Sequence, residues 1–274
     1  MAIKDKVSTA LLTDMGRVRT NNEDAITEDR DFGLLVLADG MGGYNAGEVA
    51  SGIATTTIPH VVRRDWKKLG RLTSSEDGAN HSPQALLLKK AIEEAHETIY
   101  QAAQSQPQCA GMGTTVVVVL LHDDRMSIAH VGDSRLYRYR AGKLQQVTRD
   151  HSLQEEMIAK GHYTREEAAM MVRKNIVTRA MGVEPAVSVE LGEAAVEVGD
   201  VLLLCSDGLS DMVSDEQIGV SLKRNGDNLQ EAAKDLVEQA LQGGGKDNVS
   251  VILARVDQSF AIGKPWYRRL LDWF

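Results

Sequence analysis

Four aspartates stand at the ends of apolar runs. Leu34-Leu35-Val36-Leu37-Ala38 leads into Asp39-Gly40, Val201–Cys205 into Ser206-Asp207-Gly208, and Ser127–Val131 into Gly132-Asp133-Ser134. Asp247 stands just before the apolar run Val249–Val256, after Gly243-Gly244-Gly245-Lys246. A carboxylate at a strand end sits on a rigid element and stays open to solvent, and a glycine beside it lets backbone approach a ligand closely. Several carboxylates in one place repel one another, and a divalent cation removes that repulsion. Oxygen-only ligands favour a hard ion, Mg²⁺ or Mn²⁺. A lone Asp-Gly is more often a hairpin turn than a ligand. The repetition of the pattern is what favours a metal.

Other chemistries have less support. The two cysteines, Cys109 and Cys205, form no CxxC pair, and the seven histidines show no HxxxH spacing, so a zinc site is not expected. Neither cysteine has arginine six positions on, which excludes a cysteine-nucleophile phosphatase loop. Lone cysteines fit a reducing compartment, with Cys205 packed inside a strand. His130 reads as a core histidine, and His151 has no assigned role. Gly111-Met112-Gly113 lacks the rest of a nucleotide fingerprint and reads as a turn. A net charge of −8 without an obvious basic patch argues against nucleic acid.

The elements that must position these residues are mostly strands. Runs at 34–38, 114–121, 126–131, 136–140, 201–205 and 249–256 are apolar or alternating. Ala141-Gly142 reads as a hairpin turn into a further strand over 143–147. Helical periodicity covers 46–62 and 84–104, with Leu86, Leu87, Ala91, Ile92, Ala95 and Ile99 giving the second an apolar face. The polar segment 63–83 between them reads as a loop. Continuous apolar strands covered on both faces, joined by hairpins, imply packed sheets with helices outside. The charged segment 150–182 reads as an insertion lying over the sheets. With 43% hydrophobic residues in a chain of 274, one large core can be buried.

The first residues carry no long apolar stretch with basic flanks, and no apolar run is long enough to span a bilayer. No signal peptide or transmembrane helix is expected, and the expected location is the cytoplasm. In the tail 258–274, Trp266, Leu270, Leu271 and Phe274 share one helical face. Folding back onto the domain is slightly favoured there over docking to a membrane or partner.

Six motifs, in order, carry a resemblance over nearly the whole chain. They are Arg19-Thr20-Asn21-Asn22-Glu23-Asp24, Ala38-Asp39-Gly40-Met41-Gly42-Gly43, Gly111-Met112-Gly113-Thr114-Thr115, Val131-Gly132-Asp133-Ser134-Arg135, Cys205-Ser206-Asp207-Gly208-Leu209 and Lys246-Asp247-Asn248-Val249-Ser250. Together they resemble the bacterial metal-dependent (PPM, type 2C) serine/threonine protein phosphatases. The resemblance implies an α+β fold, a four-layer α-β-β-α sandwich of two mostly antiparallel sheets. The catalytic domain would cover 1–257, with segment 150–182 as a flap and 258–274 as an amphipathic tail.

The resemblance also implies two Mn²⁺ or Mg²⁺ ions and a third, weaker one. Asp39 would bridge the pair, the Gly40 carbonyl would bind one ion, and Asp207 and Asp247 would complete the ligands. Asp133, with Asp207 and Asp211, would hold the third. Glu23 would touch a metal or hold its waters, with Asp24 and Asn248 supporting the ligands. Arg19 would bind the substrate phosphate, and a water between two ions about 4 Å apart would attack phosphoserine or phosphothreonine in line. Many relatives carry histidine after the first Asp-Gly, where this chain has Met41 and Tyr44, so proton delivery falls to water or to Tyr44. Arg173, Asn175 and Arg179 of the flap would either contact a phosphoprotein or form a solvated face. Implied partners are phosphoproteins and a cognate serine/threonine kinase, with the chain a monomer. Two alternatives remain open: a catalytically silent phosphoprotein-binding module, and a hydrolase of small phosphate esters. The intact Asp39, Asp207 and Asp247 favour an enzyme.

Overall fold

The structure is a computed structural model that describes residues 3–42, 46–71, 81–171 and 176–262. In chain order its strands and helices are β1 (Val7–Asp14), β2 (Asp24–Asp29), β3 (Leu34–Met41), α1 (Ala46–Asp65), α2 (Pro83–Ser105), β4 (Gly113–Thr114), β5 (Val116–His122), β6 (Arg125–Val131), β7 (Arg135–Arg140), β8 (Lys143–Gln146), α3 (Leu153–Ala159), α4 (Arg165–Met171), β9 (Glu190–Ala195), β10 (Val201–Cys205), α5 (Asp207–Ser210), α6 (Asp215–Asn225), α7 (Leu229–Gln242) and β11 (Val249–Val256).

The strands form two sheets, in the orders β1-β11-β10-β7-β8 and β2-β3-β5-β6-β9, with β4 added to β3. Every pairing is antiparallel. Strand periodicity explains why the central strands are apolar throughout. In β3, Leu34, Val36 and Ala38 face α1 and α2, whereas Leu35 and Leu37 face the other sheet. β10 divides the same way: Leu202 and Leu204 lie between the sheets, and Val201, Leu203 and Cys205 pack under α6 and α7. Three apolar layers thus separate four layers of secondary structure, the expected α-β-β-α sandwich.

Local signals set the boundaries. Pro83 opens α2, and the Ser82 hydroxyl caps it by accepting from the Ala85 N–H at 3.2 Å. Ala141 and Gly142 both have positive φ, 48° and 80°, as a two-residue hairpin requires. The expected strand over 114–121 is interrupted at Thr115, between β4, which ends at Thr114, and β5, which starts at Val116; the Thr115 and Ser134 hydroxyls lie 2.8 Å apart.

The expected loop over 63–83 needs correction in its first part, 63–71. α1 continues to Asp65 and a 3-10 turn covers Trp66–Arg71. The polar residues there build an ion cluster rather than a solvated loop. Asp65, its side chain 2% exposed, takes Arg64, Lys68 and Lys90, the last from α2. Trp66 packs edge-on against Phe32 at 5.2 Å. Residues 72–80 lie outside the described residues. Among the described residues, no helix is long and apolar enough to cross a membrane.

Candidate metal centre

The carboxylates meet where one end of each sheet brings its strand termini together. β2 and β3 pair so that Asp24 lies directly opposite Asp39. The Asp39 backbone is fixed from the next strand, its carbonyl accepting from the Thr115 N–H at 2.9 Å and the Thr114 hydroxyl at 2.9 Å. Gly40 is required by crowding: a Cβ there would lie 2.2 Å from the Gly47 carbonyl and 2.5 Å from that of Glu23. The Glu23 carbonyl also accepts from the Gly40 N–H, at 3.1 Å, and from the Ser51 hydroxyl, at 2.6 Å.

The other sheet contributes Asp207 and Asp247. Ser206 ties the sheets together, donating to Asp24 Oδ2 at 2.9 Å while its Oγ accepts from the Ser250 N–H at 3.0 Å. A Cβ on Gly208 would lie 1.9 Å from the Asn248 carbonyl, so glycine alone lets the two loops touch. Asn248 buckles the loop carrying Arg19 and Glu23: its Oδ1 accepts from the Glu23 N–H at 2.8 Å, and its Nδ2 donates to the carbonyls of Met15 and Asn21, each at 2.9 Å. Arg19 donates to Asp247 Oδ2 at 2.6 Å.

Electrostatics register the convergence. Burial, then the charges of Asp24, Asp207, Asp133 and Asp247, push the Asp39 carboxyl well above the usual carboxylate range. Asp207 is pushed up to about 8 by burial and by Asp133, Asp247, Asp211 and Asp24. Asp24 is raised to about 6 by burial, although Ser250, Ser206 and Asp39 oppose the shift by hydrogen bonding. Asp133 is raised to about 6 by burial and by Asp150. Burial also raises Glu23, with Arg19 opposing. Asp211 belongs to the group through its action on both Asp133 and Asp207.

The chain as a whole has relatives. Residues 16–247 match the protein phosphatase 2C family. The chain belongs to that family. The serine/threonine phosphatase stp of Listeria monocytogenes is 38% identical over 248 residues, covering 89% of this chain and 94% of the relative. The crystal structure of the Mycobacterium tuberculosis serine/threonine phosphatase PstP/Ppp superimposes with a TM-score of 0.80 at 36% identity, over 92% of this chain and 100% of that one. The PstP catalytic domain in complex with two manganese ions gives a TM-score of 0.77, also at 36% identity, over 92% and 99% of the two chains.

For a member of the 2C family, the side chains present fit hard cations. The donors are all oxygen, and Asp24 Oδ1 is buried with no hydrogen-bond partner. The residues singled out in the sequence, Arg19, Glu23, Asp24, Asp39, Gly40, Asp133, Asp207, Asp211, Asp247 and Asn248, all come to this end of the sandwich. Tyr44, Arg173 and Asn175 lie outside the described residues, as does the tail from residue 263. Thr115, Ser206 and Ser250 stand inside three of the six motifs, but the sequence assigns them no role. Cys205 is buried and its thiol is pushed up to about 12 by burial, as a packed, unreactive cysteine should be.

Proposed function

We propose that this chain hydrolyses phosphoserine and phosphothreonine esters on proteins in a metal-dependent reaction, reversing serine/threonine kinases. The observation that carries the reading is the meeting of Asp24, Asp39, Asp133, Asp207 and Asp247, from distant parts of the chain, at mutually repelling positions. Asp39, Asp207 and Asp247, with the Gly40 carbonyl, would hold two Mn²⁺ or Mg²⁺ ions. Asp133, Asp207 and Asp211 would hold a third. When bound, such ions neutralise the anionic ester and lower the pKa of water.

The chain's own groups do the rest. Glu23 orients water toward the centre, and Asp24 and Asn248 keep the ligands in place. Arg19 is half exposed, and its planar fork of donors suits two phosphate oxygens, which a lysine would not match. Met41 offers no proton, so the leaving serine oxygen takes one from water, with Tyr44 as the alternative donor. The strand ends carry all this on a rigid frame, which preorganises the site.

The catalytic domain spans 1–257, with the flap at 150–182 and a tail at 258–274 whose first residues pack on the domain: Phe260 is buried there and its N–H donates to Asp124 Oδ1 at 2.6 Å. The substrates are phosphoproteins of a cognate kinase, met in the cytoplasm by a monomer. The two buried, unpaired cysteines suit a reducing compartment, and the net charge of −8 opposes self-association.

Phosphate release from a phosphopeptide panel and from a small chromogenic ester, with Mn²⁺ and with chelator, tests the proposal. Expected is Mn²⁺-dependent release with phosphoserine and phosphothreonine peptides as the better substrates. Release from the small ester alone would replace the protein substrate with a small one. No metal-dependent release from either would sink the enzyme reading.

A further inference from the structure

His130, His151 and Glu190 place ligand atoms within 4.8 Å of one another and invite a second metal reading. The ring geometry rejects it. The two imidazoles are stacked, with centroids 4.6 Å apart and planes 15° from parallel. A ligand nitrogen points its lone pair in the ring plane, toward an ion about 2.1 Å away. Two stacked, nearly parallel planes do not meet at such a point. The nitrogens are also engaged elsewhere. His130 Nε2 lies 2.9 Å from the Arg149 carbonyl and so carries its proton there. His151 Nδ1 accepts from the Gly132 N–H at 3.1 Å, which places the His151 proton on Nε2, 3.0 Å from Glu190 Oε2.

What this relay holds is the segment around Asp133. The Gly132 carbonyl accepts in return from the His151 N–H, at 2.9 Å. On the other flank, Arg135 makes a forked contact with Asp150, Nε at 3.1 and 3.0 Å and Nη2 at 2.7 Å. Both neighbours of the Asp133-Ser134 pair are therefore tied to consecutive residues, Asp150 and His151. Gly132 cannot retreat the other way. It has φ +107°, and a Cβ on it would lie 2.5 Å from the Thr115 Cβ. Thr115 in turn donates its N–H to the Asp39 carbonyl. His151 also opens the flap, since its carbonyl accepts from the Thr178 N–H at 2.8 Å and Ser152 caps α3.

We infer that His151, oriented by Glu190, is a positioning residue for Asp133: by gripping the Gly132 N–H it sets where the Asp133 carboxylate stands, and so controls cation affinity there. The inference rests on the reading of Asp133 as a cation ligand. An imidazole suits the task because one nitrogen accepts from the glycine while the other still donates to the carboxylate. Asparagine can offer its Oδ1 near the place of Nδ1. Glutamine reaches toward the place of Nε2 and leaves the Gly132 N–H unserved.

The test is calorimetric Mn²⁺ binding by the full chain, which needs no turnover. Asp133→Asn should remove the weaker class of ions. His151→Gln should weaken that class about tenfold, the usual scale for groups behind a metal ligand. His151→Asn should restore it. In the Asp133→Asn background, His151→Gln should have no further effect on Mn²⁺ binding, whereas a merely structural role would weaken all classes alike. Should His151→Gln not fold, Glu190→Ala at the half-exposed end of the relay replaces it, with weakening of the same class expected. A class lost with Asp133→Asn but unmoved by His151→Gln, or by Glu190→Ala in its place, overturns the inference and leaves the proposed function standing. A wild-type chain that binds no Mn²⁺ overturns both.

Discussion

Arg19 and Asp247 form an ion pair at 2.6 Å between a proposed phosphate anchor and a proposed metal ligand. Their side chains keep 51% and 31% of their surface in solvent, so the pair itself is worth little, and Arg19 can turn to an incoming phosphate at small cost. A hydrogen bond to a charged group contributes about 1.5–3 kcal/mol, so Arg19→Ala should raise the phosphopeptide KM roughly tenfold or more. Arg19→Lys should recover only part, because a point charge does not replace the fork. Steady-state kinetics and inhibition by inorganic phosphate measure both. An unchanged KM and kcat in Arg19→Ala would remove the assigned role.

Asp39 and Asp207 stand half-buried among like charges, and the fold tolerates them at a cost. Removing one charge should therefore help the fold and harm the reaction. In chelator at pH 8, Asp39→Asn and Asp207→Asn should melt above the wild type. With saturating Mn²⁺ the order should invert, because only the intact ligand set gains the full binding free energy. Turnover should fall by about a hundredfold or more in each variant. Differential scanning calorimetry with and without metal reads the stability. Either variant turning over normally with Mn²⁺ would remove its residue from the centre.

The centre was legible in the sequence because strand ends and glycines mark where a carboxylate can be both rigid and open. Asp39, Asp133 and Asp207 each follow an apolar run, and Asp247 precedes one. What the sequence hid lies in side chains that act on backbone. Thr115 and Ser206 look like ordinary hydroxyl residues, and only the sheet pairing reveals that they bridge aspartate-bearing strands. The fold was legible to the same degree. The central strands are apolar on both faces and announce themselves, whereas β1, β2 and β9, with mixed half-buried faces, were not picked out. The polar stretch after residue 62 misled because a buried carboxylate with three cations has the composition of a solvated loop.

That buried carboxylate predicts an acid-sensitive joint between α1 and α2. Arg64, then Lys68 and Lys90, hold the Asp65 carboxyl well below the usual range by hydrogen bonding. With a depressed native pKa, the unfolded chain takes up the proton first, so the stabilisation is complete above about pH 4 and is lost as pH falls further toward the native value. Asp65→Asn should lower Tm by several degrees at pH 7, and the gap to wild type should close progressively below pH 4. Melting curves in chelator across that range separate this joint from the metal centre. A gap independent of pH would show that the charge of Asp65 is not what matters.

Gly208 offers a test of how finely the two sheets are matched. Its α-carbon hydrogen faces the Asn248 carbonyl, where a methyl group would arrive at 1.9 Å, far inside contact distance. The obstacle is backbone, and Asn248 is itself pinned to Glu23, Met15 and Asn21, so relief must move the loop that carries Asp247 away from Asp207. Overpacking of this kind costs about 1–3 kcal/mol. Gly208→Ala should thus lower stability by that amount while weakening Mn²⁺ binding, because the two ligands it separates belong to one centre. Calorimetric Mn²⁺ titration alongside a urea melt distinguishes the two effects. A variant destabilised to that degree but binding Mn²⁺ as tightly as wild type would mean that Asp207 and Asp247 do not belong to one metal centre.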